Sequence, residues 1–354
     1  MQTALATLLV LGVLVFVHEL GHFLVAKWAG IKVERFSLGF PPKMIGFTRG
    51  ETEYCISWIP LGGYVKMAGE NPEESEITGD PREFMSKSIG VRSLVIIAGP
   101  LMNFVAAVLL FGAVFFFYGK PVADETRVVV GPVLPDSPAE KIGLMTNDEI
   151  VSIDGQKVTN FQEMATLVNA KPGESVNVLW KRGDDIFSAP TVTKVDTLKD
   201  AAGADSLVGR IGIGMGFITE PMGLISSIGA GFKQTIDLCG VMFKFLGGLF
   251  TGQVSIKMVS GPVGIAKMAG EVAREGFNML MSFMAVLSVN LAILNILPVP
   301  VLDGGHLLFL LIEKIKGRPL TIKQRAIAQQ VGFVLLLTLI VTVTFNDVLR
   351  LFGG

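Results

Sequence analysis

His18-Glu19-Leu20-Gly21-His22 interrupts an apolar run that covers about residues 4–26. A run of that length is enough for a helix to cross a bilayer, which takes about 20 residues. Residues four apart share one face of a helix, so His18 and His22 can grip a single metal ion. The glutamate beside the first histidine is the usual base for the water that such an ion activates. Ionisable groups are costly inside an apolar span, so three of them together mark a site. The chain has only 3 histidines, and two of them fall here. The competing reading is a pair of satisfied core histidines, which this composition disfavours.

The remainder of the composition fits a membrane protein. Half of the 354 residues are hydrophobic, mean hydropathy is +0.57 and 17% of residues are charged, against roughly 25% in soluble domains. The chain reads as a polytopic α-helical protein with room for one soluble domain. A net charge of -1 gives no field that points to nucleic acid. Cys55 and Cys239 fall in segments placed on different sides of the first spans, so no disulfide is expected. No Lys or Arg precedes the first apolar run and no small-residue cleavage site follows it, so it reads as a retained span (residues 1–29) rather than a secretory signal.

Residues 30–69 alternate apolar and polar with Gly and Pro punctuation, as in Val33-Glu34-Arg35-Phe36-Ser37-Leu38 and Tyr54-Cys55-Ile56-Ser57-Trp58. They read as short strands in a membrane-dipping β-hairpin loop beside the metal helix. An exposed edge there can pair with an unwound peptide; a hairpin that only braces the helices fits equally well. An acidic loop leads through residues 70–92 into a second span at 93–118. Within that span Asn103 reads as an interhelical hydrogen bond.

The soluble module covers about residues 124–217. Asp154-Gly155 between two apolar alternations signals a hairpin, and residues 161–168 read as an amphipathic helix. Residues 218–278, apolar but broken by glycines, read as amphipathic helices at the outer face. A third span covers about 279–306 and ends in Asn290, Asn295, Pro298, Pro300, Asp303 and His306. The prolines break the helix and free backbone groups. Asp303 is the aspartate best placed to join the histidines, since catalytic zinc usually takes three protein ligands; its alternative is a helix N-cap. His306 suits packing or support of a ligand better than a fourth ligand position. A basic loop over 307–326, with Lys314, Lys316, Arg318, Lys323 and Arg325, precedes a fourth span at 327–347. The positive-inside rule puts that loop in the cytoplasm and the soluble module outside. Both metal-ligand stretches then lie toward the cytoplasmic side.

The Ser137-Pro138-Ala139 opening and the Ile150-Val151-Ser152-Ile153-Asp154-Gly155 hairpin resemble a PDZ domain. PDZ domains hold an extended peptide by strand addition, and Arg210-Ile211-Gly212-Ile213 is the candidate edge, or else a plain core strand. The His-Glu-Leu-Gly-His motif, Leu302-Asp303-Gly304 and one intervening PDZ-like module together resemble the site-2 protease family, the M50 intramembrane zinc metalloproteases, over nearly the whole chain. Pro60 to Met67, Gly261-Pro262-Val263-Gly264-Ile265 and Asn295 to Gly304 also match its motifs. The resemblance implies that His18, His22 and Asp303 hold Zn2+ and that Glu19 is catalytic. It implies substrate contacts at Asn295, with Asn290, Pro298, Pro300, Gly62 and Gly63 as further candidates. Implied substrates are single-span membrane proteins of the anti-sigma-factor type, or signal-peptide remnants. The implied setting is the lipid of a bacterial inner membrane. Members with two PDZ modules are longer, and this chain has room for one.

Two other classes compete. A membrane-anchored PDZ binding protein with structural zinc needs a fourth protein ligand. A metal transporter needs ionisable residues along a path through several spans.

Overall fold

The computed structural model describes residues 2–70, 78–124, 126–199 and 205–352. Residues 71–77 of the expected acidic loop lie outside them. The chain forms two compact units, Met1–Phe117 with Gly223–Gly354, and Tyr118–Met222.

In the first unit, α1 (Gln2–Trp28) leads into β1 (Val33–Arg49) and β2 (Thr52–Met67), followed by α2 (Ile89–Tyr118). Together with two later helices, α1 and α2 supply 4 helices long and apolar enough to cross a membrane: Thr3–Trp28, Ile89–Tyr118, Phe277–Ile296 and Ile322–Arg350. β1 and β2 do not form separate hairpins. Both strands bend, so residues 33–38 pair with 63–67 on one side and lie against 53–56 on the other, while 43–49 pair with 52–57. The bend is held from inside: Ser37, fully buried, shares a hydrogen bond with Ser57 Oγ at 3.0 Å and donates to Gly39 O at 3.0 Å. Residues 63–67 are left as an edge. Ala26, Val33, Phe36, Val65 and Val95 pack in one apolar cluster, which seats the sheet against α1 and α2.

The second unit holds β3 (Lys120–Ala123), β4 (Val128–Val133), α3 (Pro138–Lys141), β5 (Glu149–Ile153), β6 (Gln156–Lys157), α4 (Phe161–Asn169), β7 (Ser175–Arg182), β8 (Asp185–Val192), β9 (Lys194–Lys199), β10 (Asp205–Arg210), β11 (Ile213–Met215) and β12 (Phe217–Glu220). Its main sheet runs β11-β4-β5-β7-β8, with β6 on β5. Asp154 and Gly155 turn from β5 to β6 with φ of 51° and 79°, the paired positive values that a two-residue hairpin needs. Val128, Val130, Ile150, Val178 and Trp180 form the core with Met164 and Val168 of α4. A groove of about 200 Å³ separates α4 from residues 209–213. The expected strand over residues 210–213 is divided: Arg210 ends β10, Ile213 begins β11, and Ile211 between them sits in the core and lines the groove.

The chain then forms α5 (Leu224–Phe250), α6 (Pro262–Glu275), α7 (Phe277–Ile296), α8 (Asp303–Lys316) and α9 (Ile322–Phe352). Leu280 and Met284 of α7 pack on Val10 and Leu14 of α1. The start of α6 is held by a residue distant in sequence. Asp347 of α9, only 4% exposed, accepts from Gly261 N at 3.1 Å and Gly264 N at 2.7 Å. A Cβ at either glycine would come within 2.8 or 3.0 Å of that carboxylate. Asp347→Ala orphans two amides that α6 cannot satisfy alone. The expected loss is about 1–3 kcal/mol, read as a lower melting temperature in detergent.

Candidate metal centre

α1 presents His18, Glu19 and His22 on consecutive turns, while the third group comes from the other end of the chain. After α7, residues 298–302 double back onto the first turn of α8. That fold needs Gly304 and Gly305, where a Cβ would lie 2.1 Å from Ile296 O and 2.3 Å from Val299 O. The tight turn delivers Asp303 to the histidines. His18 Nε2 lies 3.1 Å from Asp303 Oδ2, His22 Nε2 lies 3.5 Å from Asp303 Oδ1, and the two Nε2 atoms are 3.3 Å apart. Two ligands about 2.0–2.1 Å from a tetrahedral zinc ion stand about 3.3 Å apart, so the triangle fits that ion. Asp303 Oδ2 is also buried without a hydrogen-bond partner among the described residues, as suits an atom that could meet a cation. Among the described residues the group comprises His18, His22 and Asp303. His306 lines the same cavity outside that group. Three protein ligands with a position left over is the catalytic pattern rather than the structural one.

Both imidazoles are aimed by α2. His22 Nδ1 lies 2.8 Å from Val95 O. A carbonyl only accepts, so Nδ1 carries the proton and the Nε2 lone pair is left free for a metal ion. Asn103, fully buried, lies with Nδ2 3.1 Å from His18 Nδ1, and its Oδ1 has no partner among the described residues. Exchanging the amide O and N would give the lone Oδ1 a partner and let it accept a proton from His18 Nδ1, the same tautomer as at His22. Ser288 Oγ ties the Asn103 carbonyl to α7 at 2.8 Å. The close approach of α2 depends on Gly99, whose Cβ would sit 2.3 Å from His22 Nε2 and 2.8 Å from His18 Cε1. The interhelical contact read at Asn103 therefore ends on His18, one of the candidate ligands. Val95 acts through its backbone, which no side-chain pattern reveals. Asn103→Leu is expected to weaken zinc binding about 10–100-fold in competition with a chelator, with Asn103→Asp recovering most of it.

A cavity of about 510 Å³ opens from the triad and is lined by Glu19, Tyr64, Val65, Asn295 and Glu70 among others. Asn295 Nδ2 stands 3.3 Å from His18 Nε2. Gly63 lies against Glu19, with its would-be Cβ 3.1 Å from Glu19 Cγ. Gly62 faces the Phe40 ring instead, and Pro300 packs on Gly332. Asn290, Pro298, Pro300 and Gly62 are not among the residues lining the cavity. The edge strand meets the site through its backbone: the Val65 N–H faces the Glu19 carboxylate, and the Met67 N–H donates to Glu70 at 3.3 Å. Enclosure in the cavity pushes the Glu70 carboxyl up to about 7.

A relative in Rhizobium meliloti is 37% identical over 364 residues, covering 98% of this chain and 96% of its own. The zinc metalloprotease RasP of Oceanobacillus iheyensis is 32% identical, with 99% and 100% covered. A crystal structure of the PDZ domain of an SdrC-like protein from Listeria monocytogenes matches 27% of this chain and 92% of its own at 29% identity, with a TM-score of 0.19. Peptidase family M50 matches residues 6–339. That match takes in both histidines and the aspartate 281 positions beyond the second (303 − 22), so the sequence span and the ligand triangle describe one unit, and the chain belongs to the site-2 protease family of zinc metalloproteases, M50.

Proposed function

We propose that this chain cleaves the membrane-spanning segments of single-span proteins, with His18, His22 and Asp303 as zinc ligands and Glu19 as the base. The observation that carries this is the three-ligand triangle borne on apolar helices, with Glu19 beside it and a cavity leading to it. Zinc held there supplies Lewis acidity, which polarises a peptide carbonyl and acidifies water. Glu19 takes the proton of the attacking water and passes it to the leaving amine. Val65 N–H on the carboxylate and Gly63 at its flank orient Glu19. Asn295 would hold the substrate backbone, a reading supported by its Nδ2 lying 3.3 Å from His18 Nε2.

A helical substrate hides its carbonyls in its own hydrogen bonds, so it must unwind. The edge at residues 63–67 gives the unwound stretch a strand to pair with. The basic segment at 307–326 assigns this side of the bacterial inner membrane to the cytoplasm, and the PDZ-like module to the other side. Anti-sigma factors and signal-peptide remnants, both single-span and exposed to the cytoplasm, are the proposed substrates. A binding protein with structural zinc would require a fourth protein ligand in the group, and the triangle supplies three.

The test is cleavage of a single-span substrate by the purified full-length chain in detergent. Cuts mapped by mass spectrometry should fall inside the span, vanish with a chelator and return with zinc. Cuts confined to the soluble flanks would refute the reading.

A further inference from the structure

The cavity that begins at the triad continues along α8, where Asp303, His306 and Leu310 face it in turn, and reaches Arg325 and Gln329 on the first turns of α9. Glu313 lies on the same face of α8, 10 residues beyond Asp303 (313 − 303), about 15 Å along a helix axis. Arg92 of α2 holds both oxygens of Glu313, with Nη1 to Oε2 at 3.1 Å, and both residues are buried, at 4% and 8% exposure.

Arg325 is therefore a second cation beside a carboxylate that already has its partner. Its Nη2 stays 3.8 Å from Glu313, its Nη1 meets the Met85 sulfur at 3.7 Å, and its Nε is buried with no hydrogen-bond partner among the described residues. Arginine keeps its charge in any protein, and a buried donor without an acceptor is costly. Arg92, Glu313 and Arg325 together carry one net positive charge. A guanidinium fork whose contacts are a thioether at 3.7 Å and a carboxylate at 3.8 Å, on a side chain that lines a cavity, matches a carboxylate in shape and sign.

We propose that Arg325, with Gln329 one turn further, forms a carboxylate subsite in this cavity. Its ligand rests on the protease reading. Hydrolysis breaks the C–N bond, puts the hydroxyl of water on the carbonyl carbon and a proton on the amine, and leaves one fragment ending in a carboxylate. A fragment that departs along α8 meets Arg325. An acidic substrate side chain roughly two to five residues from the cut presents the same group, since an extended peptide advances about 3.3 Å per residue.

The experiment measures binding of short fluorescent apolar peptides to the full-length chain in detergent by anisotropy. One peptide ends in a free carboxylate, one in an amide, and one in an amide with a glutamate four residues inward. The wild type should bind at least one carboxylate form about tenfold more tightly than the plain amide. Arg325→Gln should remove that gain while leaving plain-amide binding and zinc content unchanged, and Arg325→Lys should keep part of it. A gain confined to the free acid identifies the product end, and one confined to the glutamate peptide identifies a side chain; either supports the subsite. Zinc's own attraction for an acid is common to both proteins and cancels in the comparison. An acid-to-amide ratio equal in wild type and Arg325→Gln overturns the proposal. If Arg325→Gln does not fold, Gln329→Leu should lower the ratio about threefold, and an unchanged ratio is equally fatal. Cleavage is scored separately: an Arg325-dependent gain in a chain that cleaves nothing would sink the protease reading and leave the subsite standing.

Discussion

Glu19→Gln is expected to keep zinc at the wild-type level and to reduce cleavage of a single-span substrate about 10²–10⁴-fold, the range that general acid–base groups contribute. The amide has the size of the carboxylate, so the neighbours of Glu19 need not move. None of the three ligand atoms belongs to Glu19. The amide cannot take the proton of the attacking water at neutral pH, and among the described residues the other carboxylates lining the cavity are Asp303 and Glu70. Glu70 lines the same cavity, but its contact is with the far end of the edge strand, at Met67 N. The measurement pairs zinc content of the purified protein with the rate of product formation on a gel. Loss of zinc together with activity would make Glu19 part of the ligand set. Cleavage kept within about tenfold of wild type would remove it as the base.

The second large effect is expected at a residue with no side chain. Gly99→Ala exchanges the poorest ordinary helix former for the best, a gain of about 1 kcal/mol in a helix interior. By propensity alone the variant should be more stable. The new methyl, however, would begin 2.3 Å from His22 Nε2, 2.6 Å from His22 Cε1 and 2.8 Å from His18 Cε1. Those are ring atoms at the ends of side chains, so the helix can persist while the rings swing aside. Turning the rings breaks the 3.3 Å spacing of the two Nε2 atoms and the 2.8 Å contact of His22 with Val95. Zinc affinity should fall by about 100-fold or more, with helical circular dichroism and melting temperature held or raised, because support lost around a ligand already costs about 10–100-fold. Collapse of the fold would show that Gly99 serves packing first. Wild-type zinc affinity would show that the rings are not confined by α2.

Much of the site can be read from residue types because its chemistry is written in side chains. Two histidines four apart on an apolar helix and an aspartate after a broken helix are unusual enough to stand out, and the structure brings His18, His22 and Asp303 within ligand distance. What supports them is written differently. Val95 contributes a carbonyl, Gly99 an absence, and Gly304 the room for a turn, none of which has a chemical signature in one sequence. Asn103 was legible as a polar group needing a partner in lipid, while the identity of the partner depends on how α1 crosses α2. Asp347 illustrates the same limit at longer range: an aspartate near the end of an apolar helix gives no sign that its acceptors serve a helix start 86 positions earlier (347 − 261). The strands of residues 33–67 were visible from alternation, but the bend that turns two long strands into one sheet arises from buried Ser37 and Ser57, which look like ordinary polar positions.

On the proposed capture by strand pairing, the edge at residues 63–67 would offer peptide groups rather than pockets, and every amino acid except proline could answer them. Selection by such a surface disregards letters and responds to whether the guest chain has come loose. The enzyme's choice of cutting point should therefore follow weak places in a helix, such as a glycine or asparagine in mid-span, more closely than any consensus word. A proline set on the pairing positions should spare a segment that otherwise unravels readily.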